Sequence, residues 1–174
     1  MPNASKSKGN NAERECAKIF ANIFGGSWLR TPTSGAITGR SNNWRAKTMS
    51  KSQLLTSTND ITPPDEYSKC AIECKAYKDF EFHHMYRPEG INVLNKWIDQ
   101  VKESGVDLNN DIPLICFKPN RKGWFIVIDL NKISNFEINK IAYSKYYYKE
   151  KAYLITDMLI FLETFTNELK QLFS

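Results

Sequence analysis

Two charged residues stand inside a short apolar segment near the middle of the chain, "CAIECKA" at positions 70–76. Side chains alternate between the two faces of a β-strand, so residues two positions apart point the same way. Glu73 and Lys75 therefore share one face, and the apolar residues Cys70, Ile72 and Cys74 share the other. An exposed ion pair on the wet face of an antiparallel strand is one interpretation. The other is a site at which both charges meet a partner.

A second carboxylate lies on an amphipathic helix that we predict from Asn10 to Phe24, because its apolar residues recur at helical spacing. At about 100° per residue, Glu13 falls within the apolar stripe, whereas Glu15 falls on the opposite, solvated side. A carboxylate directed at the core is costly unless a cation neutralises it. We therefore expect Glu13 to face the sheet that carries Glu73.

A third carboxylate, Asp60, begins a short predicted strand, and the prolines after it turn the chain back towards Glu73. If the two strands pair antiparallel, side chains on one face lie about 5 Å apart. Mg²⁺ takes oxygen ligands and keeps several waters, so two or three carboxylates suffice to hold it. Such an ion activates water and stabilises charge on a phosphate, and Lys75 could assist the water or the transition state. A buried ion-pair network is the alternative, because charges also gather for structural reasons.

Length and composition indicate one globular domain of 174 residues, 41% hydrophobic and 25% charged. The chain has no run of 18 apolar residues, and its N-terminus lacks the apolar region of a signal peptide. The four cysteines lie in apolar patterns without a CxxC pair, which predicts buried thiols in a reducing cytoplasm. The adjacent His83 and His84 have no cysteine or carboxylate set at ligand spacing, so the sequence does not predict a metal site there.

Positive charge is concentrated in the N-terminal third of the chain. Residues 1–55 contain nine Lys or Arg and two acidic residues, whereas the remainder contains 15 basic and 17 acidic residues. Segment 32–59 carries Arg40, Arg45, Lys47 and Lys51 without any acidic residue. A loop this long is usually functional or disordered. The asymmetry favours a polyanion partner, with nucleic acid the obvious candidate, although a solvated linker can have the same composition.

The remaining patterns predict an α/β order of elements. They give a first strand near "SWLRT", a helix from Ile91 to Gly105, a hairpin closed by "PNRKG", and an amphipathic helix from Leu154 to Phe173. We therefore divide the chain into a basic flexible arm (1–9), a core (10–130) with a long basic loop (32–59), and a C-terminal extension (131–174).

The pattern "D…ECK", formed by Asp60, Glu73 and Lys75, resembles the PD-(D/E)XK nuclease superfamily, with Asn59 where proline often stands. Three further stretches resemble archaeal-type and phage-encoded Holliday junction resolvases: "KGNNAERE" (8–15), "RTPTSG" (30–35) and "IPLICFKPNRKGWFIVIDL" (112–130). The resemblance implies a restriction-endonuclease-like αβββαβ core, with a mixed central sheet flanked by helices and a C-terminal helical extension. It also implies a homodimer that uses Mg²⁺, or Mn²⁺ as a substitute, to nick branched DNA symmetrically.

Carried over residue by residue, the resemblance implies roles for individual side chains. Glu13, Asp60 and Glu73 would bind the metal, Lys75 would be the catalytic lysine, and Ser34 would be the catalytic serine of the loop. The DNA contacts implied by the resemblance and by the basic loop are Lys8, Arg14, Arg30, Arg40, Arg45, Lys47, Lys51 and Lys118.

The prediction is a metal-dependent endonuclease that resolves four-way DNA junctions in the cytoplasm, that of the host if a phage encodes it. One alternative is a restriction-like, repair or exonuclease enzyme of the same fold acting on duplex or single-stranded DNA. Gln100 resembles the glutamine of exonuclease-like branches, although helix packing explains it equally well. The second alternative is a nucleic-acid-binding protein without catalysis. Three buried acids argue against that alternative, because without a metal ion they would repel a phosphate backbone.

Overall fold

The central element is a mixed β-sheet, seen in a computed structural model that describes residues 4–31, 59–104, 107 and 109–174. The elements in chain order are α1 (Ala4–Phe24), β1 (Leu29–Arg30), β2 (Ile61–Thr62), β3 (Cys70–Tyr77), α2 (Asn92–Glu103), β4 (Ile112–Pro119), β5 (Phe125–Asp129), β6 (Ser144–Tyr148), β7 (Lys151–Asp157), α3 (Met158–Thr164) and α4 (Thr166–Phe173). Short 3₁₀ helices cover Asp65–Tyr67, Phe82–Tyr86, Leu130–Ile133 and Ile138–Lys140.

The described strands follow the order β1-β2-β3-β4-β5-β7-β6 across the sheet. Strands β3 and β4 are parallel, and the other neighbouring pairs are antiparallel. A parallel pair needs a crossover connection, and α2 supplies it. Strands β2 and β3 pair antiparallel, which is the condition under which we expected Asp60 to lie near Glu73, and the predicted β4–β5 hairpin is confirmed.

Helices cover both faces of the sheet. One apolar cluster joins α1, α3 and α4 to the face of β3 that carries Cys70, Ile72 and Cys74. A second cluster joins α2 to the other face, through the predicted stripe of Leu94, Trp97, Ile98 and Val101. This α/β arrangement, with a mixed sheet flanked by helices, confirms the predicted fold class and is consistent with a restriction-endonuclease-like fold. All four cysteines are buried free thiols, as expected.

Helix α1 starts earlier than its sequence pattern predicts. It begins at Ala4, so residues 4–9, assigned to a flexible arm, belong to the helix. The apolar periodicity used to place the start is absent from this first turn. In the next turn, Lys8 Nζ donates a hydrogen bond to Asn120 Oδ1 in the β4–β5 hairpin, which gives this end of the helix a tertiary contact.

The C-terminal extension contains two strands where we predicted only a helix. Segment Lys151–Asp157 is β7, which pairs with β5 and with β6, so the predicted helix start at Leu154 is wrong. Apolar spacing continues without a break from the strand into the helices, which hid the boundary. The signal at the true start is Asp157, whose carboxylate accepts a hydrogen bond from Ile160 N (3.0 Å) as an N-cap. The helical part also divides at Phe165 into α3 and α4.

Within the described part of the chain, every helix is too short or too polar to cross a bilayer.

Candidate active site

Two predicted metal ligands meet where β2 joins β3. Ile61 of β2 lies opposite Ile72 of β3, and one further step of that antiparallel register brings Asp60 opposite Glu73. Asp60 Oδ2 accepts a hydrogen bond from the backbone N–H of Cys74 at 2.8 Å. Asp60 and Glu73 are 9% and 8% exposed. The structure thus brings together two buried carboxylates on neighbouring chain segments.

Glu73 is the most connected side chain of this group. Its Oε1 accepts hydrogen bonds from Lys75 Nζ and from Gln100 Nε2, the latter at 2.8 Å. Lys75 reaches it because residues two apart share a strand face, and Gln100 reaches it from α2, which covers that face. Sequence reasoning left Gln100 between two roles, and the structure puts its amide in direct contact with the site.

Burial raises the pKa of Glu73 to about 7, and the negative charge of Asp60 adds to that rise. Lys75 opposes it through its positive charge and hydrogen bond, whereas Glu13 contributes a further small increase. Three carboxylates therefore act on one another through a poorly solvated region. A cation bound among them would relieve this repulsion, which is the electrostatic setting that a metal site requires.

Glu13 approaches from the opposite face of the sheet. It lies on α1, which covers the Cys74 face, whereas Glu73 points towards α2. Its Oε2 accepts a hydrogen bond from Nε of Arg30 on β1 in an ion pair. Arg30 Nη2 also donates to Asn10 Oδ1 at 2.8 Å. Arg30, predicted as a DNA contact, is thus paired with a predicted metal ligand.

The three carboxylates do not form a closed ligand set as they stand, since their oxygens are not all within 4.8 Å of one another. The donor chemistry nevertheless fits a hard cation. Mg²⁺ is usually held by one or two carboxylates and retains several waters, so Asp60 and Glu73 could bind it without Glu13. A third ligand would require Glu13 to leave Arg30.

A groove of about 430 Å³ lies on the α1 side of the sheet, between the start of α1 and the β4–β5 hairpin. Two predicted DNA contacts, Lys8 and Lys118, line it together with Arg121, which sequence reasoning missed. The basic turn sequence "PNRKG" is the signal that could have identified Arg121. In the structure its φ of 62° places it in this tight turn. On β3 the groove reaches Ala76, which lies on the strand face opposite to Glu73 and Lys75.

Glu15 has partners that its position on the helix did not predict. Lys118 Nζ donates to Glu15 Oε1 at 2.7 Å, and Trp124 Nε1 donates to the same oxygen at 3.0 Å. Although partial burial opposes the change, the hydrogen bonds from Lys118 and Trp124 lower the pKa of Glu15. Glu15, which we expected to be solvated, thus links α1 to the β4–β5 hairpin.

The other predicted contacts are not part of this group. Arg14 is exposed, and its Nη1 donates a long hydrogen bond of 3.4 Å to Asn11 Oδ1 on the same helix. Five predicted residues lie outside the described residues: Ser34, Arg40, Arg45, Lys47 and Lys51.

An acidic pair with an adjoining lysine, on a mixed sheet between helices, is the arrangement expected of a PD-(D/E)XK nuclease. The family model described as "Phage putative PDDEXK endonuclease" matches residues 4–173, and this chain belongs to that family. Protein D14 of Escherichia phage T5 is a similar protein, 30% identical over 128 residues, which span 72% of this chain and 71% of that protein. No solved structure matches the chain at a significant level. Nucleases of this superfamily bind DNA and usually use divalent metal ions.

Proposed function

We propose that this protein is a DNA endonuclease that resolves four-way junctions by metal-dependent hydrolysis of phosphodiesters, with Mg²⁺ as the metal and Mn²⁺ as a substitute. The observation that supports the chemistry is the juxtaposition of Asp60, Glu73 and Lys75 on adjoining segments of β2 and β3. The resolvase-like stretches at 8–15 and 112–130 support the substrate, because residues of both line the groove between α1 and the β4–β5 hairpin.

The roles of the residues follow from their contacts. Asp60 and Glu73 would hold the ion, and Glu13 could join them if Arg30 turned from it towards a DNA phosphate. A metal ion held there would supply an activated water and would neutralise charge on the phosphate. Lys75 would donate a hydrogen bond to the attacking water or to the phosphate oxygen. Gln100 keeps the Glu73 carboxylate in position.

Binding of DNA is assigned to the groove and to the N-terminal basic residues. Lys8, Lys118 and Arg121 would contact phosphates, which gives affinity without sequence preference and a strong salt dependence. Arg14, Ser34 and the loop residues Arg40, Arg45, Lys47 and Lys51 keep their predicted roles within this proposal. The enzyme would act in the cytoplasm, where its four buried thiols stay reduced, and the 131–174 extension would complete the nuclease core.

The proposed enzyme acts as a homodimer on branched DNA. A four-way junction presents two equivalent strands, and a two-fold symmetric pair of subunits places one active site on each. Symmetric, paired nicks are the expected product of such an arrangement.

One contact favours a second candidate, a nuclease that acts on duplex or single-stranded ends. The hydrogen bond from Gln100 to Glu73 matches the glutamine of exonuclease-like branches of the superfamily. In that case the same metal chemistry would act from a free DNA end, and a dimer would not be needed.

The test is a cleavage assay in Mg²⁺ with a labelled four-way junction and a linear duplex of the same sequence. Each substrate is offered to the wild type, to Glu73→Ala and to Lys118→Ala. We expect the wild type to make paired nicks in the junction. Glu73→Ala should abolish this cleavage. Lys118→Ala should reduce it, most clearly at higher salt. Equal cutting of the duplex would exclude the junction as the specific substrate, and digestion from ends alone would favour the exonuclease. DNA binding without any cleavage in Mg²⁺ or Mn²⁺ would favour the non-catalytic alternative.

A further inference from the structure

A second cluster of metal-binding side chains lies outside the carboxylate site. The 3₁₀ helix Phe82–Tyr86 and the residue before it bring together Glu81, His83 and His84. One ligand atom from each of these three side chains lies within 4.8 Å of those of the other two, and among the described residues this is the one such group of three. The histidines had no ligand set at regular spacing in the sequence; the turn of the 3₁₀ helix supplies Glu81.

The spacing of two donors already suits a tetrahedral ion. Metal bonds of about 2.1 Å to imidazole nitrogen and carboxylate oxygen place neighbouring ligands about 3.4 Å apart in a tetrahedral shell. His84 Nδ1 and Glu81 Oε2 are 3.3 Å apart. The His83 and His84 rings lie edge to face with centroids 4.4 Å apart. Closing a shell around one ion therefore requires rotations of the exposed Glu81 and His83 side chains towards the partly buried His84.

Aromatic packing against the sheet anchors the backbone that carries these side chains. Phe80 is 1% exposed, and Phe82 packs against Phe80, Phe117 and Phe125 with ring centroids 4.7, 6.3 and 4.9 Å away. His84 N also donates a hydrogen bond to Glu81 O at 2.9 Å, which closes the turn between two of the donors. Apolar anchors thus point into the core, while Glu81 and His83 are exposed and His84 is partly buried.

There is also room for a fourth ligand. Glu81 and His84 line a cavity of about 280 Å³ that Asn92 and Lys96 of α2 border on the other side. A water molecule or an external group could complete the coordination from this cavity, since roughly 10–15 Å³ on this measure already holds one water.

From this geometry we propose that Glu81, His83 and His84 form a second metal site, which binds a zinc-like divalent ion of the first transition row. Two imidazoles and one carboxylate suit Zn²⁺, Co²⁺ or Ni²⁺, whereas Mg²⁺ prefers oxygen ligands alone. The two sites would therefore take different metals. An ion bound here would tie together the segment between β3, which carries Glu73, and α2, which carries Gln100.

The test measures zinc binding by equilibrium dialysis of tag-free protein, with excess Mg²⁺ present to occupy the carboxylate site. The variants are His83→Ala/His84→Ala and the shape-conserving Glu81→Gln. Glu89→Gln is the matched control, because it removes an exposed acid of the same connecting segment that is not in the cluster. Glu81 and His83 are exposed and His84 is partly buried, and circular dichroism in the absence of zinc checks that each variant folds.

We expect one zinc ion per wild-type chain, a loss of that ion in the double histidine variant, and at least tenfold weaker binding in Glu81→Gln. Co²⁺ in place of zinc should give the strong visible absorption of a four-coordinate site in the wild type and in Glu89→Gln only. Retention of the zinc by the double variant would overturn the proposal, as would a wild type that binds no zinc in excess Mg²⁺. Neither outcome depends on DNA cleavage, so this proposal can fail while the nuclease proposal stands.

Discussion

The two faces of β3 are buried to a similar degree, but burial has different consequences on each. On one face Cys70, Ile72 and Cys74 are 0%, 0% and 7% exposed and pack under α1. On the other face Glu73 is 8% exposed and contacts α2 through Gln100. Removal from water favours the neutral form of any acid, so it raises the pKa of the Cys70 thiol and of the Glu73 carboxyl alike.

The difference lies in where those shifts leave each group at neutral pH. A thiol with a raised pKa stays protonated, so the Cys70 face is uncharged, inert and stabilising. A carboxyl with a pKa of about 7 is divided between two charge states, and a nearby cation decides which one it adopts. Because side chains alternate along β3, one face of the strand contributes to stability and the other carries the candidate catalytic groups. Substitutions on the two faces should accordingly affect different measurements.

The largest contrast is expected in DNA cleavage. Glu73→Gln should lower the single-turnover cleavage rate in Mg²⁺ by at least about 10³-fold, or about 4 kcal/mol, because it removes a charged metal ligand and the partner of Lys75. Ile72→Val, one position away on the other face, should change the rate less than about threefold, since it only removes one buried methylene. A quenched-flow or gel assay at saturating enzyme measures both rates.

This contrast would be broken by a Glu73→Gln protein that cleaves at a rate close to that of the wild type. In that case Glu73 would belong to a structural ion pair with Lys75. Equal losses for both variants would show that the assay reports stability, which the next measurement checks independently.

Stability should respond in the opposite order. Ile72→Ala should lower the free energy of unfolding by about 3–4 kcal/mol, because the side chain is fully buried and its removal leaves a cavity under α1. Glu73→Gln should leave the metal-free protein at least as stable at pH 8, because a buried charge has been replaced by a neutral amide. Urea unfolding in EDTA gives both values, with Glu66→Gln as an exposed acidic control. A larger loss for Glu73→Gln than for Ile72→Ala would contradict this division.

The raised pKa of Glu73 also predicts a pH dependence of stability. Between the ordinary value of 4.5 and about 7, the folded protein holds a proton that the unfolded chain releases. The contribution of Glu73 therefore favours folding at low pH, falls as the pH rises to about 7, and is level above that. A shift of this size corresponds to about 3 kcal/mol. Urea unfolding of the metal-free wild type between pH 5 and 8, minus the same series for Glu73→Gln, isolates this effect. A difference that stays constant with pH would show that Glu73 is not desolvated.

Local patterns of the sequence predicted the α1 face of β3 well. Alternation in "CAIECKAY" identified the apolar and charged faces, because both are short-range consequences of the strand period. The helix period likewise placed Glu13 towards the sheet and predicted the stripe of α2. These features need no knowledge of which element lies next to which.

The missed features all depend on contacts between distant parts of the chain. Gln100 contacts Glu73 from 27 positions away, and Lys118 pairs with Glu15 from 103 positions away. The ion pair of Glu13 with Arg30 required the position of β1 relative to α1. Strand β7 was hidden because its apolar residues continue the spacing of the following helix. Periodicity describes one element at a time, so it does not predict partners across the sheet.

The smallest effect on the cleavage rate should come from Gln100, which joins α2 to Glu73 on β3. Gln100→Ala removes one hydrogen bond to the Glu73 carboxylate, so we expect a cleavage rate about tenfold lower, or about 1.4 kcal/mol. Asp99→Asn is the matched control on the same helix, because its carboxylate bonds Tyr148 and Lys149 instead. If Gln100 positions Glu73, the loss should shrink as Mg²⁺ concentration rises, because a metal ion can orient the carboxylate by itself. A loss that is independent of Mg²⁺ concentration would instead show that Gln100 does not act by positioning the Glu73 carboxylate for the metal ion.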